Sequence, residues 1–250
     1  MAGFRATALA SCLVSLLALP LVAGAQEPAP APGPRFPEAD AELTSILAQV
    51  AEEEEKFTEP TNRQDKEWVK RKLQHMRDVD QLIRGAFSSP KVAALSPEAR
   101  KYFFDQLQPQ MAAIDAADTA ELKELLKVHR WFTISEFGEK ADSNAWLLVQ
   151  HADQDLAFQQ EVLAVLSTLY AKGETSPRNY AYLWDRVAVN SGKKQRYGTQ
   201  GKCVDVGVWE PHEVEDPANL AKLRQEVGLQ TMDEYKALFK EYGLCQTKDS

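Results

Sequence analysis

The segment Gln150-His151-Ala152-Asp153 combines an amide, an imidazole and a carboxylate, side chains that can move protons and hold polar ligands. A histidine acts as a general acid or base near neutral pH when a carboxylate orients its imidazole. Either Asp185 or Asp80 can supply that carboxylate, and we predict His151 and Asp185 as candidate catalytic residues. The alternative interpretation is a buried histidine that is satisfied by a backbone carbonyl.

A second group of polar residues is predicted to bind a ligand beside His151. In this interpretation Arg186 is an anion clamp, and Tyr197 and Gln200 donate hydrogen bonds. The predicted ligand-binding residues are Asp80, Gln81, Arg84, Gln150, Arg186, Tyr197 and Gln200.

The charge distribution points to the same stretch. Six basic residues and one acidic residue lie between Arg178 and Lys202, in a chain whose net charge is −8. Such a positive island can attract a small anionic ligand such as a carboxylate, a phosphate or an acidic sugar. Equally, it can balance the acidic N-terminal helices. The negative net charge disfavours nucleic-acid binding, so we expect no nucleic-acid partner.

The sequence lacks the motifs that are typical of metal sites, phosphate-binding loops and serine nucleophiles. No His-Glu-x-x-His or paired-cysteine spacing accompanies His151, so we predict no metal site. Gly192-Lys193 lacks the rest of a phosphate-binding P-loop, and no Gly-x-Ser-x-Gly sequence supports a serine nucleophile. We expect no cofactor.

The elements around the polar residues must position them. Residues 145–149 read Ala-Trp-Leu-Leu-Val, which leaves no polar face on a helix, so this helix is expected to be buried. Gln150 and His151 follow at its C-terminal end, where an unpaired polar group costs free energy. The Asp185-Arg186 pair and the loop Tyr197–Gln200 are the predicted partners.

The rest of the pattern predicts a mainly α, single-domain helical bundle with a small β-hairpin near residues 194–210. Alternating valines over residues 204–208 indicate the hairpin. One helix is expected over residues 96–114 and a separate one over residues 118–129. Cap residues predict helix starts at Asn62, Ser96, Asp118, Ser135, Ser176, Asp216 and Thr231.

The N-terminus predicts export. Residues 1–25 have a positive start, an apolar run and a small-residue cleavage site, which is typical of a signal peptide, with a membrane anchor as the alternative. Residues 26–39 hold five prolines and are predicted as a disordered linker before a helical domain over residues 40–250. We expect a periplasmic or extracellular protein with no stable membrane span after cleavage.

Two cysteines, Cys203 and Cys245, remain after cleavage. In an exported protein they predict one disulfide. It would close a loop of about 43 residues and contribute about 4 kcal/mol to stability in the chain-entropy model. Two free buried thiols are the alternative.

These motifs resemble those of a family of uncharacterised bacterial proteins, many of them exported. The matching segments are Gln150–Asp153 (Gln-His-Ala-Asp), Ala181–Arg186 (Ala-Tyr-Leu-x-Asp-Arg), Gly192–Gln200 (Gly-x-x-Gln-x-Tyr-Gly-Thr-Gln) and Asp80–Arg84 (Asp-Gln-x-x-Arg). The motif core spans residues 75–230, and Phe132 departs from the proline that often follows the family's tryptophan. The resemblance implies that the polar residues form one shared feature, and it implies no activity or substrate.

Two functional hypotheses follow. In the first, an exported helical protein carries a polar pocket that binds or acts on a small anionic or polar ligand, with His151 as the acid–base residue. In the second, the polar motifs are a structural hydrogen-bond network in a non-catalytic binding or interaction module. A solvent-reachable cleft that touches His151 and Arg186 favours the first, and complete burial of both favours the second. The sequence identifies no protein partner.

Overall fold

The structure, a computed structural model, describes residues 36–241 and residue 245. The predicted signal peptide and residues 26–35 of the predicted linker lie outside the described residues. The first helix begins at Pro37, so the last residues of the stretch predicted as a linker are helical.

The N-terminal part consists of helices α1 (Pro37–Glu54), α2 (Lys66–Arg84), α3 (Pro90–Ala93) and α4 (Pro97–Val128), with a 3₁₀ turn (Gly85–Ser88) after α2. The carboxylate of Asp65 accepts hydrogen bonds from two N–H groups in the first turn of α2, so this helix starts after the predicted cap Asn62. The apolar faces of these helices share one buried cluster that includes Ile83, Phe103 and Leu107. Helix α2 is thereby fixed against both α1 and α4.

Helix α4 corrects the prediction of two separate helices between residues 96 and 129. Ser96 caps it as predicted, and the helix then continues without a break to Val128. Asp118 therefore lies inside the helix and is not a cap. The capping signature is a local signal, and here the packing of one long helix against α1 and α2 overrides it.

The main core is built from helices α5 (Ile134–Phe137), α6 (Glu139–His151), α7 (Leu156–Leu169) and α8 (Pro177–Asn190), with a 3₁₀ turn (Tyr170–Lys172) after α7. Gly138, with a φ of 85°, separates α5 from α6, so α6 begins at Glu139 and not at the predicted cap Ser135. Ser176 caps α8 as predicted. Helices α2 and α4 also contribute to this core. Its fully buried leucines come from α2, α4, α6, α7 and α8 and include Leu73, Leu122, Leu148, Leu166 and Leu183.

The C-terminal part contains strands β1 (Gly201–Asp205) and β2 (Val208–Pro211) and helices α9 (Leu220–Glu226) and α10 (Met232–Glu241). The strands pair antiparallel with Cys203 opposite Trp209, and α10 packs on β2. We call β1, β2 and α10 the hairpin lobe. The predicted disulfide Cys203–Cys245 is present, with Cα atoms 5.4 Å apart, and belongs to the lobe's own buried cluster.

The prediction of a mainly α fold with a small β-hairpin is confirmed: helices dominate the described residues, and their sheet has two strands. In the same part of the chain, none of the helices combines the length and the apolar character that a bilayer crossing requires.

Candidate functional site

A cleft of about 320 Å³ lies between the C-terminal half of α6, α8 and the hairpin lobe. We call it the central cleft. One wall is helical and consists of Trp146, Leu147, Gln150, His151, Tyr182 and Arg186. The other wall consists of Thr199, Gln200, Gly201, Trp209, Tyr235 and Phe239. The side chains of His151 and Arg186 are 18% and 26% exposed, so solvent reaches both.

His151 is paired with Asp80. Its Nδ1 lies 2.7 Å from Asp80 Oδ1, across the contact between the ends of α6 and α2. Asp80 is completely buried, whereas His151 also lines the central cleft. Of the two carboxylates that the sequence offered for orienting the imidazole, Asp80 is therefore the one in contact.

Two further side chains hold the carboxylate of Asp80. Gln81 Nε2 donates to Oδ2 at 2.8 Å, and Arg84 Nη1 donates to Oδ1 at 2.5 Å. Burial alone would raise the pKa of Asp80, but the hydrogen bond and charge of His151, the charge of Arg84 and the hydrogen bond from Gln81 bring it below its ordinary value. Asp80 is therefore held as a carboxylate behind the imidazole. The predicted group Asp80, Gln81 and Arg84 lies behind His151, outside the residues that line the central cleft.

Two acidic residues of α4 extend this cluster, and the sequence analysis missed both. Arg84 Nη2 donates to the two oxygens of Asp115 at 2.8 and 3.0 Å, and burial raises the pKa of Asp115. Burial, with the nearby charge of Asp80, raises the pKa of Asp118 to about 8. Asp118 Oδ2 is buried and has no hydrogen-bond partner among the described residues. Asp118 therefore carries a proton at neutral pH.

His151, Asp80 and Asp115 offer ligand atoms within 4.8 Å of one another, a grouping that could hold a metal ion. The sequence analysis predicted no metal site because these residues are far apart in the chain. In the structure the guanidinium of Arg84 bonds both carboxylates. The guanidinium of Arg84 therefore already bonds carboxylate oxygens that a metal ion would need as ligands.

Gln150 and Arg186 face each other across the helical wall. Arg186 Nε donates to Gln150 Oε1 at 2.9 Å, and its Nη1 donates to Asp153 Oδ2 at 2.6 Å. The side chain of Asp153 is 49% exposed, so water screens this ion pair. The predicted contact between the Gln150–Asp153 segment and the Asp185-Arg186 pair is therefore made through Arg186.

Two buried donors beside the central cleft have no hydrogen-bond partner among the described residues: Gln150 Nε2 and Trp146 Nε1. The bond from Arg186 fixes the amide of Gln150, so its NH₂ group remains the free end. A buried donor without an acceptor costs about 1–3 kcal/mol. Both unpaired donors belong to side chains of the same wall.

Asp185, the predicted catalytic carboxylate, does not contact His151. It is completely buried and accepts hydrogen bonds from the backbone N–H groups of Arg196, Tyr197 and Thr199, and from the Thr199 hydroxyl. Burial raises the pKa of Asp185, and these donors oppose the rise. The carboxylate thus anchors the loop to α8, and the structure pairs His151 with Asp80 and not with Asp185.

The loop itself explains the Tyr-Gly-Thr-Gln motif. Gly198 has a φ of 69°, a left-handed conformation that favours glycine, and a Cβ there would also displace the end of the Met232 side chain, 2.5 Å away. Tyr197 packs its ring against Trp184 and, contrary to the prediction, is part of the main core and not of the cleft lining. Burial raises the pKa of Tyr197 to about 12. Gln200 does line the central cleft.

Arg224, which the sequence analysis did not single out, holds the loop from the other side. Its side chain is buried, its Nη1 donates to the Tyr197 carbonyl at 2.6 Å, and its guanidinium lies over the ring of Tyr235. Burial lowers the pKa of Arg224. The hydroxyl of Tyr235 donates to the Thr199 carbonyl at 3.1 Å, which ties α10 to the same loop. The second wall is thus fixed to the helical core.

The positive island of residues 178–202 is divided by the fold. Lys194 and Arg196 form ion pairs with Glu213 and Glu215, which follow the hairpin. Of the island's basic residues, Arg186 is the one that lines the central cleft. Two of the island's six basic residues therefore balance local acidic residues, and one guanidinium lies in the central cleft.

The aromatic side chains of the second wall are the residues of the cleft that sequence reasoning missed. Trp209 and Phe239 stack with ring centroids 4.4 Å apart, and Tyr235 packs edge-on against both. Their sequence signal was weak because aromatic residues in strands and amphipathic helices are usually core. The predicted disulfide was the one sequence signal that these residues form a separate packed unit.

A model of a family of unknown function, DUF6624, matches residues 68–247. The matched span contains both walls of the central cleft and the acidic cluster behind it. No curated protein and no solved structure matches the chain.

Proposed function

The chain belongs to the family of unknown function DUF6624, and we propose from its own geometry that the central cleft binds a small polar or anionic ligand with which His151 exchanges a proton. The observation that carries this proposal is the His151–Asp80 pair, which has its carboxylate completely buried and its imidazole in a cleft that solvent reaches.

The pairing supports an acid–base role for a geometric reason. A histidine that donates its Nδ1–H to a carboxylate keeps a fixed tautomer and orientation, which leaves Nε2 to accept a proton. Asp80 holds the imidazole in this orientation, and its contacts with His151, Arg84 and Gln81 keep Asp80 ionised. The roles proposed here are therefore His151 as acid–base residue and Asp80 as the residue that positions it.

Arg186 and Gln150 supply the ligand-binding part of the proposal. Arg186 Nη2 makes no hydrogen bond to the described residues, and Gln150 Nε2 is a free buried donor on the same wall. An acceptor on a ligand can satisfy both groups. Gln200 borders the other side of the cleft and is proposed as a third polar contact.

The alternative of a structural hydrogen-bond network applies to one part of the motif set. Both carboxylate oxygens of Asp185 are paired, and Asp185 is not among the described residues that line the central cleft, which favours a purely structural role there. The unpaired donors beside His151 favour a binding role for the remaining part.

A thermal-shift screen of the purified protein tests the proposal, because a ligand that binds the native state raises its Tm. The screen includes carboxylates, phosphates, acidic and neutral sugars and divalent metal ions. We expect at least one compound to raise the Tm of the wild type and of Lys193→Gln, an exposed control in the same basic stretch, but not of Arg186→Gln.

Histidine resonances in NMR spectra then test the role of His151. A bound ligand is expected to shift the His151 signals, with the remaining three histidines as internal controls. The proposal fails if every stabilising compound acts equally on Arg186→Gln and leaves His151 unperturbed.

Export to the periplasm or the cell exterior remains part of the proposal. The disulfide Cys203–Cys245 supports it, because such bonds persist mainly in oxidising compartments. N-terminal sequencing of the protein recovered from cell fractions tests it, with cleavage expected after residue 25. Recovery of uncleaved protein in the cytoplasm contradicts it.

A further inference from the structure

We infer that the ligand of the central cleft is a small monoanion in which one carboxylate is attached to a single ring. This inference rests on the proposed function, and it names the class of ligand. It is carried by two properties of the walls: the charge of the polar side chains and the arrangement of the aromatic ones.

The cleft lining favours an anion. Among the described residues that line it there is one arginine and one histidine, and there is no aspartate or glutamate. This absence is notable in a chain with 37 acidic and 29 basic residues. The acidic groups nearest to His151, Asp80 and Asp115, lie behind it and are bonded by Arg84. A negative ligand therefore meets no uncompensated carboxylate.

The amount of positive charge favours a carboxylate over a phosphate dianion. Arg186 shares part of its charge with Asp153, and its Nη2 group remains for the ligand. This group and the NH₂ of Gln150 are two donors, which match the two oxygens of a carboxylate. A dianion usually requires several cations or a helix N-terminus. The described residues of the lining include one arginine, no lysine and no residue at which a helix begins.

The remaining lining favours a ring. Aromatic rings form a continuous row of contacts, from Trp146 to Tyr182 at 5.9 Å between centroids and from Tyr182 to Tyr235 at 6.3 Å. The row continues through Trp209 to Phe239 in the hairpin lobe. Trp146, Tyr182 and Phe239 are partly exposed, whereas Trp209 and Tyr235 are buried behind them. Partly exposed aromatic rings bind flat apolar surfaces, such as an aryl ring or the C–H face of a sugar.

The size of the cleft limits the ligand to one ring. Its volume of about 320 Å³ is at the small end of the range of about 300–1,000 Å³ that is typical of ligand sites. Glucuronate and benzoate both have the inferred chemistry, and they represent two sources, an acidic sugar and an aryl acid.

Calorimetric titration of the purified protein tests the inference with glucuronate, benzoate, acetate, phosphate, glucose and benzyl alcohol. We expect one of the two ring acids to bind at least about tenfold more tightly than acetate and than its own uncharged analogue. The preferred ring acid identifies the source.

Two variants separate the contributions of charge and ring. Arg186→Gln is expected to lower the affinity for the ring acid to that of the uncharged analogue, and Phe239→Leu is expected to weaken the ring acid while acetate binding is unchanged. Lys193→Gln serves as the control for charge, since it is exposed and outside the lining.

The outcomes distinguish this inference from the proposed function. If phosphate, acetate or an uncharged compound binds best and does so through Arg186, the ligand class is wrong and the proposed function stands. If neither ring acid binds at millimolar concentration, the class is likewise overturned. If, in addition, no compound of the wider screen depends on Arg186 or perturbs His151, the proposed function fails as well.

Discussion

Two aspartates of this protein have the same burial and opposite surroundings. Asp80 and Asp185 are both 0% exposed. Backbone N–H groups of one loop and one hydroxyl hold Asp185. An imidazole, a guanidinium and an amide hold Asp80, and each of these belongs to a side chain. Burial therefore does not separate a structural carboxylate from a candidate site, whereas the type of its partners does.

The difference has a physical reason. Backbone donors cannot change their charge, so a carboxylate among them can only fix the path of the chain. Side-chain partners can gain or lose a proton or bind a second molecule, so a carboxylate among them can influence chemistry at a neighbouring group. Asp185 builds the wall of the cleft, and Asp80 orients the residue that faces into it.

The largest expected effect is that of Asp185→Asn. The amide retains one acceptor oxygen and turns an NH₂ group toward backbone donors that then have no partner. We expect the free energy of unfolding at neutral pH to fall by about 3–4 kcal/mol. Urea denaturation measures it. A loss below about 1 kcal/mol would contradict the anchoring role.

The same substitution at Asp80 is expected to cost less. In Asp80→Asn the amide oxygen can still accept from Arg84 and His151, and Gln81 can reverse its own amide. We expect a loss of about 2 kcal/mol in unfolding free energy, together with a loss of the ligand-induced Tm shift. Unfolding and thermal-shift measurements on both asparagine variants test this difference. Equal losses in unfolding free energy at the two positions would contradict it.

Asp118→Asn is expected to change the pH dependence of stability. The folded-state pKa of Asp118 is about 8, above its ordinary value of 3.8, so folded protein retains a proton that unfolded protein releases. The stability that Asp118 contributes is thus complete below pH 4 and is lost as the pH rises toward 8. Asparagine does not titrate.

Asp118→Asn should therefore gain stability relative to the wild type, by at most about 1.4 kcal/mol for each pH unit between pH 5 and pH 7. Urea denaturation at several pH values checks this. A constant difference between the two proteins across this range would show that Asp118 titrates normally. Asp105→Asn, at an exposed carboxylate of the same helix, is the matched control.

The smallest expected effect on stability is that of His151→Gln. Asp80 keeps its bonds to Arg84 and Gln81, and the imidazole is partly exposed, so a loss of less than about 1 kcal/mol is expected. Ligand-dependent stabilisation should nevertheless disappear. If His151→Gln destabilises the fold as strongly as Asp185→Asn, the His151–Asp80 pair is structural, and Asp80 and Asp185 do not differ in role.

Some contacts of the site could be predicted from the sequence and others could not. Gln150, His151, Arg186 and Gln200 were predicted to meet, and all four line one cleft. These residues meet because an apolar helix leaves its terminal polar groups in need of partners. The carboxylate that orients His151 stayed open between Asp185 and Asp80, since both are equally plausible from the sequence, and the structure selects Asp80.

Asp118 shows most clearly where local reasoning failed. The sequence Asp-Thr-Ala-Glu fits a helix cap, and nothing in it reveals that the helix continues through Asp118 and buries its carboxylate near Asp80. Capping depends on the neighbours along the chain, whereas burial depends on which helices pack against that face. Trp209 and Phe239 were missed for the same reason, because only the closure of the hairpin lobe brings them to the cleft.

The helical character, the hairpin and the cysteine pairing could be predicted from the chain, because periodicity, turn residues and cysteine number are properties of the sequence. The carboxylate that contacts His151, the basic residue that lines the cleft and the rings of the second wall follow only from the folded structure. These depend on contacts between residues far apart in the chain, and the free energy of such contacts is fixed by packing that no local pattern encodes.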